Sequence, residues 1–64
     1  MTVNGAFIPA SEGLTVSQLL EQRGYQESRI AVEVNRAIVP KGQYQSHLLH
    51  DDDIVEIVCF MGGD

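Results

Sequence analysis

One stretch of this chain has the period of an α-helix, and short strand-like segments lie on both sides of it. Val16, Leu19 and Leu20 stand at positions i, i+3 and i+4, and Arg23 follows at i+7. This spacing places three apolar side chains on one face, with the stem of Arg23 along its edge. The pattern predicts about two turns of amphipathic helix over residues 16–23, which must bury its apolar face against the strands.

The residues around this stretch carry start and stop signals for a helix. The run Thr15-Val16-Ser17-Gln18 fits a capping box, with Thr15 as N-cap and the Gln18 side chain reaching back to it. Gly24 suits the left-handed residue that commonly follows the last helical turn. These signals predict that the helix begins after Thr15 and ends before Gly24.

Strands are predicted on both sides of the helix. Asn4-Gly5 between residues 2–4 and 6–8 is a strong hairpin signal. Residues 31–35 alternate between apolar and polar side chains and are rich in β-branched residues, which predicts a strand. Asn35-Arg36 is a predicted turn into residues 37–39. Residues 54–60 are the longest strand candidate. By the period-2 rule one face takes the side chains of Val32, Val34, Val55, Ile57 and Cys59. The other face takes those of Ala31, Glu33, Glu56, Val58 and Phe60.

The segment between the last two strands is harder to interpret. Residues 42–49 allow a short helical turn, with Tyr44, Leu48 and Leu49 packing inward. Asp51 to Asp53 is expected to be a solvated turn. His47 and His50 precede these carboxylates and could form a metal site, but such clusters are common in polar loops, and we expect no metal here.

Composition excludes several classes of protein. The chain has 64 residues, which predicts one domain, and its formal charge of -5 argues against nucleic acid as a partner. Cys59 is the one cysteine, so no internal disulfide can form, and we expect it to pack as a small hydrophobe. No stretch is long and apolar enough for a membrane span and no signal peptide is visible, which predicts a cytoplasmic protein.

Several short motifs resemble the sulfur carriers of the ThiS/MoaD family, and the short length resembles ThiS more than MoaD. The matching stretches are residues 14–16, 19–20, 31–35, 38–40, Tyr44, 53–58 and Gly62-Gly63. The resemblance implies an α+β, ubiquitin-like β-grasp fold: a mixed sheet of four to five strands with one main helix packed on one face. It divides the chain into a domain over 1–60 and a flexible Gly-Gly tail over 61–64.

The resemblance also implies a mechanism in thiamin (thiazole) biosynthesis. An E1-like adenylating enzyme of the ThiF type would adenylate the carboxylate of Gly63, with Gly62 as its flexible access. A persulfide, supplied indirectly by a cysteine desulfurase, would convert the adenylate to a thiocarboxylate that donates sulfur to a thiazole synthase of the ThiG type. The carrier would be no enzyme and would hold no cofactor. Val58, Phe60 and Met61 are the candidate docking surface.

One residue departs from the family pattern, because Asp64 follows Gly63. A peptidase could remove Asp64, Asp64 could replace a third glycine in an altered end, or this member could have lost the carrier function. A different class of function also stays open, since the same fold serves as a ubiquitin-like interaction module or modifier. The final sulfur acceptor is open as well: thiamin is favoured, and molybdopterin or cysteine are alternatives.

Overall fold

A computed structural model describes residues 1–60, which form a mixed five-stranded sheet with one main helix. The sheet order is β2-β1-β5-β3-β4, and the central β1–β5 pair is parallel while the other pairs are antiparallel. The elements are β1 Thr2–Val3, β2 Ala6–Phe7, α1 Val16–Gln22, β3 Ile30–Val34, β4 Ala37–Ile38 and β5 Ile54–Cys59, with short 3₁₀ turns at Glu27–Arg29 and Lys41–Gln43. This is the predicted β-grasp fold.

Two tight turns set the strand order, and both have the backbone conformation that a two-residue hairpin requires. Asn4 and Gly5 have φ of 51° and 89°, and Asn35 and Arg36 have φ of 53° and 70°. Positive φ at both central residues matches the twist of the flanking strands. Both predicted turns are therefore confirmed.

Helix α1 begins and ends where its sequence signals indicate. The Thr15 hydroxyl accepts from the backbone N–H of Gln18 at 3.2 Å, and the Thr15 N–H donates to the Gln18 side chain at 3.1 Å. Gly24 follows with φ of 79°. The helix ends at Gln22, one residue earlier than predicted, with Arg23 as an exposed C-cap.

A single core lies between α1 and the inner face of the sheet, and four of the five side chains predicted to face the helix are buried there. The buried apolar residues are Met1, Val3, Leu14, Val16, Leu19, Leu20, Ile30, Val32, Val34, Val39, Tyr44, Leu49, Val55 and Ile57. Cys59 is the exception, since it is exposed. It lines a surface depression beside Ile30, its buried cross-strand partner, so the core covers β3 but not β5 at this point of the inner face.

The segment before β5 closes one side of the core. Tyr44 and Leu49 are buried as predicted, whereas Leu48 is 49% exposed, so the expectation that it packs inward is wrong. The backbone explains this, because Leu48 forms a bridge with Thr15, and neighbouring residues in extended backbone point in opposite directions. The N–H of Leu49 donates to the carbonyl of Leu14 at 2.8 Å, which holds Leu49 inward.

The acidic turn before β5 is only partly solvated. Asp51 and Asp52 are exposed as expected, but Asp53 is buried. Its carboxylate accepts from the side-chain amide of Asn35 and from the backbone N–H of His50, both at 2.9 Å. Asp53 therefore ties this turn to the hairpin between β3 and β4, and the interpretation of it as a solvated residue is wrong.

Candidate functional site

Strand β5 connects the centre of the sheet to the carboxy-terminal residues, so it positions any site formed there. It runs parallel to β1 and antiparallel to β3, with Ala31 opposite Val58 and Glu33 opposite Glu56. Residues directly opposite each other share a face. The register therefore defines an outer face, away from α1, made of Thr2, Phe7, Ala31, Glu33, Ile38, Ile54, Glu56 and Val58.

This outer face is unusually apolar for a sheet surface that faces solvent. A sheet with one solvated face typically alternates between apolar residues inside and polar residues outside. Here the exposed fractions are 55% for Ile54, 53% for Val58, 69% for Ile38 and 70% for Phe7. Exposed apolar patches of this kind commonly mark interaction sites.

Phe60 follows β5 directly and is 56% exposed. Its backbone N–H donates to the carbonyl of Arg29 at 3.0 Å, which fixes the point where the chain leaves the sheet. The structure thus places Val58 and Phe60 at the surface, close to the start of the predicted tail. Their role in docking stays a prediction. Met61, Gly62 and Gly63 lie outside the described residues, as does the rest of the 61–64 segment.

A depression of about 480 Å³ lies beside the end of β5. It is lined by Gly24, Tyr25, Gln26, Arg29, Ile30, Cys59 and Phe60. Arg29 is thirty positions before Cys59 in the chain, and the antiparallel β3–β5 pairing brings the two segments together. The sequence alone could not indicate a basic residue beside Cys59, because this proximity depends on strand register.

The described residues offer little else that could do chemistry. Within residues 1–60, no group of three or more His, Cys, Asp or Glu side chains is placed to hold a metal ion. Burial raises the pKa of the Tyr44 phenol above its usual 10.0, an effect that the backbone of Val32 opposes and the Glu27 carboxylate reinforces. Tyr44 belongs to the core, so this shift concerns stability.

No helix within residues 1–60 is long and apolar enough to cross a membrane.

Comparison with known proteins decides the family. A sequence model described as the ThiS family matches residues 1–63, which is nearly the whole chain and includes Gly62 and Gly63. The chain belongs to the ThiS family. The match continues past the last strand and covers the positions of Gly62 and Gly63.

Individual relatives agree with the ThiS assignment. The sulfur carrier protein ThiS of Escherichia coli strain K12 is 30% identical over 94% of this chain and 91% of its own. The crystal structure of the thiamine biosynthesis protein ThiS from Geobacter metallireducens is 32% identical, with a TM-score of 0.79 over 98% of this chain and 96% of that one. A thiazole synthase of Magnetococcus marinus is 39% identical over 95% of this chain, which spans only 19% of that relative's length.

Proposed function

We propose that this chain is a sulfur carrier in thiamin biosynthesis and that Gly63 is the residue that receives the sulfur. The observation that carries the proposal is the ThiS-family match, which covers residues 1–63 and therefore includes the Gly-Gly pair that begins three residues after the end of β5. The similarity to the ThiS proteins of Escherichia coli and Geobacter metallireducens supports it.

The proposed chemistry takes place on the Gly63 carboxylate. One carboxylate oxygen attacks the α-phosphorus of ATP in an adenylating enzyme of the ThiF type, and pyrophosphate leaves. The terminal sulfur of a persulfide, which a cysteine desulfurase supplies, then bonds to the acyl carbon and displaces AMP. A thiol cleaves the resulting sulfur–sulfur bond, which leaves a thiocarboxylate on Gly63 and a disulfide on the donor. The carrier needs no cofactor and catalyses no step.

Glycine suits this position for a steric reason. Gly62 and Gly63 lack Cβ, so the backbone can enter a narrow active site and adopt φ values that other residues avoid. Four residues after Phe60 can extend at most about 14 Å. The enzyme that receives the tail must therefore also contact the end of β5, where Val58 and Phe60 are exposed. We propose Val58, Phe60 and Met61 as that contact.

The peptide bond between Gly63 and Asp64 must be cleaved before sulfur can be loaded onto Gly63. Gly63 forms a peptide bond with Asp64 in this sequence, so it has no free carboxylate. Hydrolysis of that bond supplies the carboxylate. Activation on Asp64 itself would bring a second carboxylate beside the nucleotide phosphates, which is unfavourable in a poorly solvated site.

Thiazole synthase of the ThiG type is the proposed acceptor. The thiazole synthase of Magnetococcus marinus contains a segment similar to this chain within one longer polypeptide. A carrier-like segment joined to a thiazole synthase supports an encounter between the two in the present protein as well. All of these partners are expected to be in the cytoplasm.

The test is the intact mass of two versions of the chain, one as given and one ending at Gly63. Each is incubated with ATP, Mg²⁺, a matching ThiF-type enzyme and a sulfur source. We expect the version ending at Gly63 to gain the mass difference of one sulfur for one oxygen, and the version ending at Asp64 to gain nothing. No gain on either version, with the enzyme active on a known carrier, would contradict the proposal.

A further inference from the structure

Two glutamates face each other at the centre of the outer face. Glu33 on β3 and Glu56 on β5 are direct cross-strand partners and point away from α1. Glu56 is exposed and Glu33 is half-buried. Like charges directly opposite each other on a sheet are destabilising. This glutamate pair therefore opposes folding of the isolated chain.

The described part of the chain does not neutralise the glutamate pair with an ion pair. Within residues 1–60 the structure shows one ion pair, between the Met1 ammonium and Asp51. Arg36 lines the same surface depression as Glu56, together with Asn35 and Ile54, but makes no ion pair with it. The two carboxylates thus remain available to a cation from outside the domain.

Apolar side chains surround the glutamate pair on the outer face. Ile54 and Val58 are the outward neighbours of Glu56 along β5, and Ile38 is the cross-strand partner of Glu33 on β4. All three are more than half exposed. A partner that covers these apolar side chains would exclude water from the two carboxylates, so a cation of that partner would bind the carboxylates strongly.

We propose that the outer face docks onto the adenylating enzyme at a site where an Arg or Lys of that enzyme inserts between Glu33 and Glu56. Apolar residues of the enzyme would cover Ile38, Ile54 and Val58. This inference rests on the proposed carrier function, since the enzyme that loads the tail must lie beside β5. A second copy of the chain is a poor occupant, because packing two outer faces together would gather four carboxylates.

The test compares two double variants that change net charge equally. E33Q/E56Q neutralises the glutamate pair, while E12Q/E21Q neutralises exposed glutamates in the loop before α1 and on α1, away from the outer face. Dissociation constants for the ThiF-type enzyme are measured by calorimetry at low and high salt. We expect E33Q/E56Q to bind at least about tenfold more weakly and E12Q/E21Q to bind like the unmodified chain, with the difference shrinking as salt rises.

Thermal unfolding of the same variants separates docking from folding. E33Q/E56Q should have a Tm equal to or above that of the unmodified chain, because it removes a repulsive pair. If the two double variants bind the enzyme with equal affinity while the unmodified chain is still loaded with sulfur, this inference is overturned and the carrier proposal is not. Failure of the unmodified chain both to load and to bind would overturn the carrier proposal with it. A dimer of the unmodified chain that E33Q/E56Q strengthens would make a second copy the occupant of the outer face and would also overturn this inference.

Discussion

The carboxylate of Asp53 joins two parts of the chain that are distant in sequence. One oxygen accepts from the Asn35 side chain in the β3–β4 hairpin, and the other accepts from the His50 N–H in its own turn. Asn35 in turn accepts from the N–H of Ile54 at 3.0 Å. This network fixes the start of β5, and through it the position from which the tail leaves the domain.

We expect Asp53→Ala to lower the free energy of unfolding by about 1–3 kcal/mol, because it leaves the Asn35 amide and the His50 N–H without their partner. Asp52→Ala, at the exposed neighbour, should change it by less than about 0.5 kcal/mol. Urea unfolding of both variants measures the difference. Equal stability of the two variants would show that the Asp53 network contributes nothing.

Tyr44 is the second residue with a specific energetic role. Its phenol is buried in the core, and burial raises its pKa above the 10.0 of an unfolded tyrosine. Below pH 10 both states keep the proton and stability is unaffected. Above pH 10 the unfolded state releases the proton first, so stability falls as pH rises towards the folded pKa.

Tyr44→Phe should therefore lose less stability than the unmodified chain as the pH rises above about 10, because it has no phenol to ionise at this site. Urea unfolding midpoints across this range provide the measurement. Tyr25→Phe, which removes the other tyrosine hydroxyl, is the matched control. Parallel losses in Tyr44→Phe and the unmodified chain would contradict the account of Tyr44.

Local signals predicted the elements of this fold well, because several of them act within a few residues. Asn4-Gly5 and Asn35-Arg36 made their turns, and Thr15 and Gln18 made their capping box. Each of these features depends on backbone preferences that neighbouring residues decide. The predicted ends of α1 and β5 each differ by only one residue from the ends in the structure.

Helix α1 has only seven residues, so its cap should matter to the stability of the domain. We expect Thr15→Ala to lower the free energy of unfolding by about 1 kcal/mol, because the Gln18 N–H loses its acceptor. Thr15→Ser keeps that acceptor and should retain most of the stability. If Thr15→Ala and Thr15→Ser are equally stable under urea, the capping box does not contribute.

Features that depend on tertiary contacts were harder to predict. Period-2 alternation placed Cys59 on the inner face, but it could not show where the core ends along β5. The same limit explains Leu48, whose direction depends on its bridge to Thr15, and Arg29, which strand pairing brings near Cys59. The outward positions of Glu33 and Glu56 were predicted, but their direct opposition required the strand register.

The exposed residues at the end of β5 lead to a prediction about the assembled complex. Phe60→Ala should raise the KM for loading by the adenylating enzyme about tenfold and change kcat little, because it removes docking contact and leaves the tail intact. Leu48→Ala is the control, since Leu48 is similarly exposed but lies beside Thr15 at the start of α1, away from the end of β5. Steady-state pyrophosphate release gives both constants. An equal rise in KM for the two variants would argue against docking through Phe60.

Delivery of sulfur is the central claim, and a single-turnover transfer experiment tests it most directly. The version ending at Gly63 is loaded with a heavy sulfur isotope, purified, and mixed with thiazole synthase and its other substrates. The account predicts that the isotope appears in the thiazole product while the chain returns to its unloaded mass. A loaded chain that keeps its isotope, beside a synthase that is active with a known carrier, would contradict it.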